Sequence, residues 1–203
     1  MPVSRGSTLK VLALLLVLTG CVTSQRIMAT FEAHPGAQLR PGTVQLLVQD
    51  RRPSSDLIGP EALAKDLFKA SQSGRLDLTA KSPDGSQLAL SNLIVSQLVW
   101  EAVRHELALV GITAIAGTQG AKARVVITVE TMSVELEGHD VRAQVSLAAN
   151  LDWPGVPNSF QTRGFGQSAR TRLFGDQGGS QALSEALTAA INNLNFSGLN
   201  NFQ

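Results

Sequence analysis

Three histidines are the residues of this chain best suited to metal binding or proton transfer. His34, His105 and His139 lie far apart, and none is part of an HExxH motif or a close carboxylate cluster. The sequence therefore carries no zinc signature. We interpret His105 with Glu106 as a pair on a helix surface, and His139 with Asp140 as turn residues.

Glycine-rich segments are the second place to look for chemistry, since backbone amides can hold phosphate groups. Gly164–Gly166 and Gly175–Gly179 do not continue as a P-loop, and neither joins a strand to a helix as GxGxxG requires. No GxSxG motif is present. Gly178–Ser180 precede a helix and either hold an anion or form a flexible entry to it. We predict that the chain is not an enzyme and binds neither a metal nor a diffusible cofactor.

Six charged residues in two groups are the candidates for a surface that contacts a partner: Asp50, Arg51, Arg52, Arg163, Arg170 and Arg172. The first group ends a predicted central strand, where an Asp–Arg pair either fixes the turn or offers a polar contact surface. The second group lies along a predicted exposed strand. That strand either accepts a partner strand by edge pairing or is a solvated edge protected by its charge.

Composition restricts the class of protein that must position these residues. The 203 residues are 43% hydrophobic and 16% charged. Long disordered chains have fewer apolar and more charged residues, so this class is excluded. The formal net charge of +1 gives no basic excess of the kind that nucleic-acid binding needs. With one cysteine, an intrachain disulfide, a cysteine zinc site and a CxxC pair are excluded.

The N-terminal 20 residues have the pattern of an export signal. Arg5 and Lys10 are followed by an apolar run, Val11–Leu18, that is too short for a membrane-spanning helix, which needs about 20 residues. Leu18-Thr19-Gly20-Cys21 then resembles the bacterial lipobox. The resemblance implies a diacylglycerol thioether on Cys21, cleavage before it, and acylation of the new N-terminus. The alternatives are a secretory signal with a chance cysteine, or a cytosolic chain with an apolar start.

Val22 follows the modified cysteine, where an aspartate in enterobacterial lipoproteins favours retention in the inner membrane. Its absence indicates the periplasmic face of the outer membrane, with the inner membrane as the alternative. Cleavage removes two basic residues, so the mature chain carries 15 basic and 16 acidic residues and a net charge of −1.

We predict three regions: a lipoprotein signal peptide (1–20), a flexible tether (21–42) and one α/β periplasmic domain (43–203). Two Pro-Gly pairs and the lack of a sustained period favour a tether, which spans about 25 Å as a coil and about 70 Å when extended. The tail, 195–203, is predicted to be loose.

Alternating apolar residues predict most of the strands. The first covers 43–50 and is apolar on both faces, as central strands are. A hairpin joins 123–137 to 141–151 through Gly138–Asp140, with a β-bulge near 130–131 where the alternation changes phase. Short strands at 88–90 and 112–115 and a third antiparallel strand at 160–166 complete the pattern, and 73–86 is predicted as a loop.

Helical spacing predicts two main helices. The first covers 92–110, with Ser91 as its N-cap and Gly111 just past its end. The second covers 181–194 and is capped by Ser180. A weaker pattern predicts a helix over 61–72. The expected fold is α/β (α+β), a mixed and largely antiparallel sheet of about five strands with two helices packed on it.

The order of these features resembles the YajG-type uncharacterised lipoprotein family. The resemblance rests on the lipobox, the Asp50-Arg51 pair after the first strand, Gly111 after the long helix, and the alternating hairpin, and it covers most of residues 43–195. It implies an α/β domain with a mixed sheet, similar to auxiliary lipoproteins of envelope transporters.

Two functions follow as expectations. The first is a non-enzymatic, lipid-anchored periplasmic lipoprotein that binds other envelope proteins or acts as a scaffold. The second is an auxiliary subunit of an envelope transport or trans-envelope machine that contacts lipid, lipopolysaccharide or peptidoglycan. An apolar cavity of several hundred Å³ would favour ligand binding, and a flat face with an unpaired strand would favour a protein partner. The number of subunits is left open.

Overall fold

The computed structural model describes residues 28–34, 36–61, 75–81, 87–153, 160–171 and 178–201. The strands in these ranges are β1 (Met28–Glu32), β2 (Gly42–Asp50), β3 (Arg75–Lys81), β4 (Gln87–Ile94), β5 (Ile112–Ile115), β6 (Ala123–Glu137), β7 (Asp140–Asp152) and β8 (Phe160–Thr171). The helices are α1 (Val95–Leu109) and α2 (Gly178–Asn192), and a 3-10 helix covers Ser197–Asn201.

A five-stranded mixed sheet is the main layer of the fold, in the order β5-β2-β6-β7-β8. Strand β2 is parallel to both of its neighbours, whereas β6, β7 and β8 pair antiparallel. Helix α1 packs on β2 and β5, and α2 packs on β7 and β8. The predicted α+β class, with five strands and two packed helices, is confirmed.

The β6–β7 hairpin is the most regular part of this sheet, and its sequence pattern explains its form. Apolar residues alternate up to Val129 and resume out of phase at Met132, and the pairing register shifts between Val129 and Thr131. This is the predicted β-bulge, which keeps both apolar sets on the buried face. Gly138 has a φ of 61°, a conformation that favours glycine in a tight turn.

Helix α1 ends as predicted but begins later. Gly111, with a φ of 90°, follows the last turn, and its N–H bonds to the carbonyl of Ala108. The predicted N-cap was wrong, because Ser91 pairs with Leu78 inside β4. The strand runs directly into the helix at Ile94, which makes no side-chain capping bond.

A second sheet of three strands, in the order β1-β3-β4, was not predicted. Strand β1 is parallel to β3, and β3 is antiparallel to β4. The segment 73–86 was predicted as a loop, yet it contains β3, and the strand predicted at 88–90 is longer. Strand β1 contacts α2, while β3 and β4 contact α1, so the helices join the two sheets.

The tether prediction for residues 21–42 was wrong for the part that the structure describes. Ala29 and Phe31 of β1 are fully buried, and Leu39 is 8% exposed with its N–H bonded to the carbonyl of Val110. Pairing with β3 and burial against α2 hold this segment in the domain, so the folded part begins before residue 43. The signal peptide and residues 21–27, including Cys21, lie outside the described residues.

The C-terminal segment also differs from its prediction. Residues 195–201 are not loose, because Phe196 and Leu199 are buried and the 3-10 helix holds the chain against the domain. Helix α2 begins at Gly178, so Ser180 lies in its first turn and is not its N-cap. The helix predicted over 61–72 lies almost wholly outside the described residues.

Helix α2 lies directly on the backbone of β8 at two glycines. A Cβ atom on Gly164 would lie 1.8 Å from the carbonyl oxygen of Ala190, and one on Gly166 would lie 1.9 Å from that of Ala186. Any larger residue would therefore collide with the helix backbone. Among the described residues, all the buried apolar side chains except Val126 form one cluster, which includes those of both helices and β1.

Candidate functional site

Asp50 and Arg52, at the carboxyl end of β2, form a tight ion pair. Arg52 donates from Nη2 to Asp50 Oδ2 at 2.8 Å and from Nε to Asp50 Oδ1 at 2.9 Å. A further bond runs from Nη1 to the carbonyl of Met132, and the Arg52 side chain is only 6% exposed. Its hydrogen bonds hold the pKa of Asp50 below its ordinary value. The pair thus ties the segment after β2 to β6, and the neighbouring Arg51 is exposed.

Arg163 and Arg170 lie on β8 but face opposite sides of the sheet. Arg170 faces α2, where it forms an ion pair with Glu185, and Ser168 donates a further hydrogen bond to the same carboxylate. Burial acts to raise the pKa of Glu185, but the bonds from Arg170 and Ser168 hold it below its ordinary value. Arg163 faces away from the helices and is 79% exposed, with Glu130 at 3.5 Å. Arg172 lies outside the described residues.

The two candidate groups do not converge on one site. Strands β6 and β7 lie between β2 and β8, which places the groups about 14 Å apart at the usual spacing of strands. Asp50, Arg52 and Arg170 are already paired within the domain. Among the described members of the two groups, Arg51 is exposed, and Arg163 has a side chain that is 79% exposed.

Strand β8 lies at one edge of the five-stranded sheet, which agrees with the exposed strand predicted for this segment. It is 12 residues long, and its Phe165 is 48% exposed, one of three large apolar side chains open to solvent in the described ranges. Asn193 donates to the carbonyl of Phe165 at 2.9 Å. Long edges with an exposed aromatic residue are suited to pairing with another chain.

A row of hydroxyl groups on α2, which the sequence analysis did not identify as functional, holds β1 in place. Ser180, Ser184 and Thr188 accept hydrogen bonds from the backbone N–H groups of Met28, Thr30 and Glu32, at 3.0, 2.7 and 3.1 Å. The spacings match, because four residues of a helix rise about 6.0 Å and two residues of a strand about 6.6 Å. The signal available in the sequence was the spacing of these three hydroxyl residues by four along the helix.

Between β1 and α2 lies an open groove of about 840 Å³. Most residues that line it have polar side chains, including Thr30, Gln181, Glu185, Thr188 and Asn192, although apolar atoms supply the larger share of its surface. The groove is open rather than enclosed, which distinguishes it from the usual pocket for a drug-sized ligand.

His105 and Glu106 do not form a surface pair of the predicted kind. Glu106 is only 8% exposed, and its Oε2 has no hydrogen-bond partner in the described part of the chain. Burial raises the pKa of Glu106 and, with less effect, a backbone hydrogen bond from His34 opposes this rise. Burial also lowers the pKa of His105.

Metal and membrane-spanning features are both missing from the residues that the structure describes. In those ranges no three His, Cys, Asp or Glu side chains are grouped as a metal site would need. Neither α1 nor α2 has the length and apolar character required to cross a bilayer.

The chain matches no protein-family model and no curated protein sequence. The resemblance to the YajG-type family therefore stays a prediction.

Several solved structures share part of its chain path. A Xanthomonas campestris protein of family DUF330 is 14% identical over 80% of this chain and 90% of its own, with a TM-score of 0.41. The PelC dodecamer from Paraburkholderia phytofirmans is 12% identical over 83% and 94%, with a TM-score of 0.39. A lipoprotein from Neisseria meningitidis is 13% identical over 64% and 84%, with a TM-score of 0.30. At these TM-scores we transfer no role or location from them.

Proposed function

We propose that this chain is a non-enzymatic lipoprotein of the bacterial envelope, anchored by lipid on Cys21 and built to bind other envelope proteins. The observation that carries the proposal is the sequence Leu18-Thr19-Gly20-Cys21, which places the chain's single cysteine directly behind a charged and apolar leader. Two or three acyl chains at that position hold a protein on a membrane stably. Val22 in place of aspartate favours the periplasmic face of the outer membrane.

The position of β1 changes the geometry expected for the proposed anchor. The first described strand begins at Met28, seven residues after Cys21. Seven residues reach at most about 25 Å when fully extended, far less than the 21–42 tether would allow. The domain is therefore held close to the bilayer rather than standing off it.

The anchor is tested by replacing the modified residue. The Cys21→Ser variant should lose labelling by radioactive palmitate and leave the membrane fraction. A matched control is Ser24→Cys in the Cys21→Ser background, which restores a thiol three residues later without the lipobox. Membrane fractionation of Cys21→Ser that equals the wild type, with undiminished palmitate, would contradict the proposal.

For the binding role, the edge strand β8 supplies the surface. Its exposed side includes Arg163 and Phe165, so an extended segment of a partner that carries an acidic and an apolar residue would complement it. The partner is thus proposed to add a strand to the five-stranded sheet, and its backbone would replace Asn193 as the donor to the Phe165 carbonyl.

Site-specific crosslinking in intact cells tests this role. A photo-crosslinking amino acid at position 163, 165 or 167 should capture one partner, at contact points that advance by two residues along one segment, as strand pairing requires. The same amino acid at Thr118, exposed in the β5–β6 connection, is the control. Capture at Thr118 alone, or contact points without this register, would refute edge pairing.

An auxiliary role in a transport or trans-envelope machine is the second candidate, and the groove between β1 and α2 is the observation that favours it. The hydroxyl, amide and carboxylate groups along the groove can hydrogen-bond a sugar or peptide chain, which is why we propose such a ligand. Titration of the purified protein with lipopolysaccharide and with peptidoglycan fragments should then shift its melting temperature. A Gln181→Trp variant that fills the groove should abolish the shift, and an unchanged shift would remove this candidate.

A further inference from the structure

Two exposed apolar side chains lie at the same end of the three-stranded sheet. Met28 begins β1 and pairs with Asp77 of β3, whereas Ile94 ends β4 and pairs with Arg75 at the start of β3. With two strand spacings across and two residues along, their Cα atoms lie about 12 Å apart.

Met28 and Ile94 are 42% and 45% exposed, whereas the other two apolar residues of β1, Ala29 and Phe31, are fully buried. Single exposed apolar residues are ordinary on protein surfaces. What distinguishes this pair is its place, since the chain that carries the lipid anchor enters the domain at Met28.

The positions of α2 and β8 show which residues lie at the same end of the domain as Met28 and which lie at the opposite end. The N–H of Met28 donates to Ser180 in the first turn of α2, so Met28 lies at the N-terminal end of this helix. Helix α2 runs antiparallel to β8, because Glu185 lies beside Arg170 whereas the later Ala190 lies over the earlier Gly164. Gln161, near the start of β8, therefore lies at the opposite end, beyond the last turns of α2. Met28 and Gln161 therefore mark two opposite ends of the domain.

Taking the proposed lipid on Cys21 as given, we infer that the end bearing Met28 and Ile94 rests on the bilayer, with both side chains in the boundary between headgroups and acyl chains. The strand β6 alone is 15 residues, or about 50 Å, long. A link of seven residues can hold only one end of such a domain at the membrane. Of the two ends, this one both receives the link and exposes apolar side chains.

Charge does not create the contact. The mature chain is close to neutral, with 15 basic and 16 acidic residues, so attraction to anionic lipid contributes little. The apolar side chains and the anchor hold this end in place, and the contact should persist when salt is raised.

Depth-dependent quenching on the full, lipidated protein tests the orientation. Because the lipid consumes the thiol of Cys21, the variants Met28→Cys, Ile94→Cys and Gln161→Cys each carry one reactive thiol for a fluorescent label. The proteins are reconstituted in phosphatidylcholine–phosphatidylglycerol vesicles with and without brominated acyl chains. All three replaced side chains are at least partly exposed, so the substitutions leave the core intact.

We expect several-fold stronger quenching by brominated lipid at positions 28 and 94 than at position 161, in low and high salt alike. Equal quenching at all three positions, or stronger quenching at 161, would overturn the orientation. Flotation of the labelled protein with the vesicles is measured in the same samples. Protein that floats but shows no difference refutes this inference alone, whereas protein that fails to float refutes the anchor as well.

Discussion

Replacing Gly166 by alanine tests how closely α2 lies on the edge strand β8. The new Cβ atom would stand 1.9 Å from the carbonyl oxygen of Ala186 and 2.7 Å from the amide nitrogen of Ala190. Both are helix backbone atoms, which cannot rotate away as a side chain would. The helix would have to move by about 1 Å before the nearest contact reached 3.0 Å, and overpacking of this kind costs about 1–3 kcal/mol or more.

We expect the upper end of that range for Gly166→Ala, a loss of about 3 kcal/mol in the free energy of unfolding. A shift of α2 also stretches its hydrogen bonds to β1, because Ser180, Ser184 and Thr188 lie on the same helix. With a urea slope of about 2 kcal/mol per molar, the unfolding midpoint should fall by about 1.5 M.

Equilibrium urea unfolding followed by circular dichroism measures this change. Gly117→Ala is the control, because a Cβ at Gly117 meets nothing within 4 Å, and its effect should stay within about 0.5 kcal/mol. If Gly166→Ala unfolds at the same urea concentration as Gly117→Ala, the close approach of α2 to β8 is wrong.

Three further predictions concern the surroundings of the helices and the end of β2. Ser184→Ala removes the acceptor for the part-buried N–H of Thr30 and should cost about 1–3 kcal/mol by urea unfolding, while Ser184→Thr should retain most of the stability. Because burial raises the pKa of Glu106, its contribution to stability is present below the ordinary carboxyl pKa and is lost as the pH rises through the raised value. The free energy of unfolding of Glu106→Gln should therefore exceed that of the wild type at pH 7 and not at pH 4, and an equal gain at both would contradict the assignment. Arg52→Ala leaves the part-exposed Asp50 without its partner and should lower stability by about 1–2 kcal/mol, with Arg51→Ala, at an exposed position, as the near-neutral control.

The five-stranded sheet was predictable because its strands bury one face against helices. Alternation in β6 and β7 fixes which residues face the core, and its change of phase located the bulge at Val129–Thr131. Gly111 marked the end of α1 because its positive φ is a conformation that other residues adopt at a cost.

The three-stranded sheet was missed because its strands carry weak local signals. Strand β1 has five residues, and its stability comes from distant partners, namely β3 and the hydroxyl groups of α2. Polar residues at those helix positions look like a solvated face in the sequence. The prediction of Ser91 as an N-cap was wrong because pairing with Leu78 holds this residue in an extended strand. The C-terminal tail is folded because Phe196 and Leu199 are buried in the apolar core.

Sequence and structure contribute differently to the candidate site. Residue types identified Cys21 and the charged groups, but no pattern revealed that Arg52 and Arg170 are engaged by Asp50 and Glu185. Those pairs depend on the turn after β2 and on the packing of α2 over β8. The exposed end with Met28 and Ile94 likewise depends on strand order, which one sequence does not reveal.

The mass of the mature N-terminal peptide, measured on protein extracted from bacterial membranes, tests the central claim most directly. The lipid-anchor account predicts a chain that begins at Cys21, with a diacylglycerol group on sulfur and a fatty acid on the new α-amino group. An N-terminal peptide that still contains residues 1–20, or a Cys21 that carries no lipid, would contradict it.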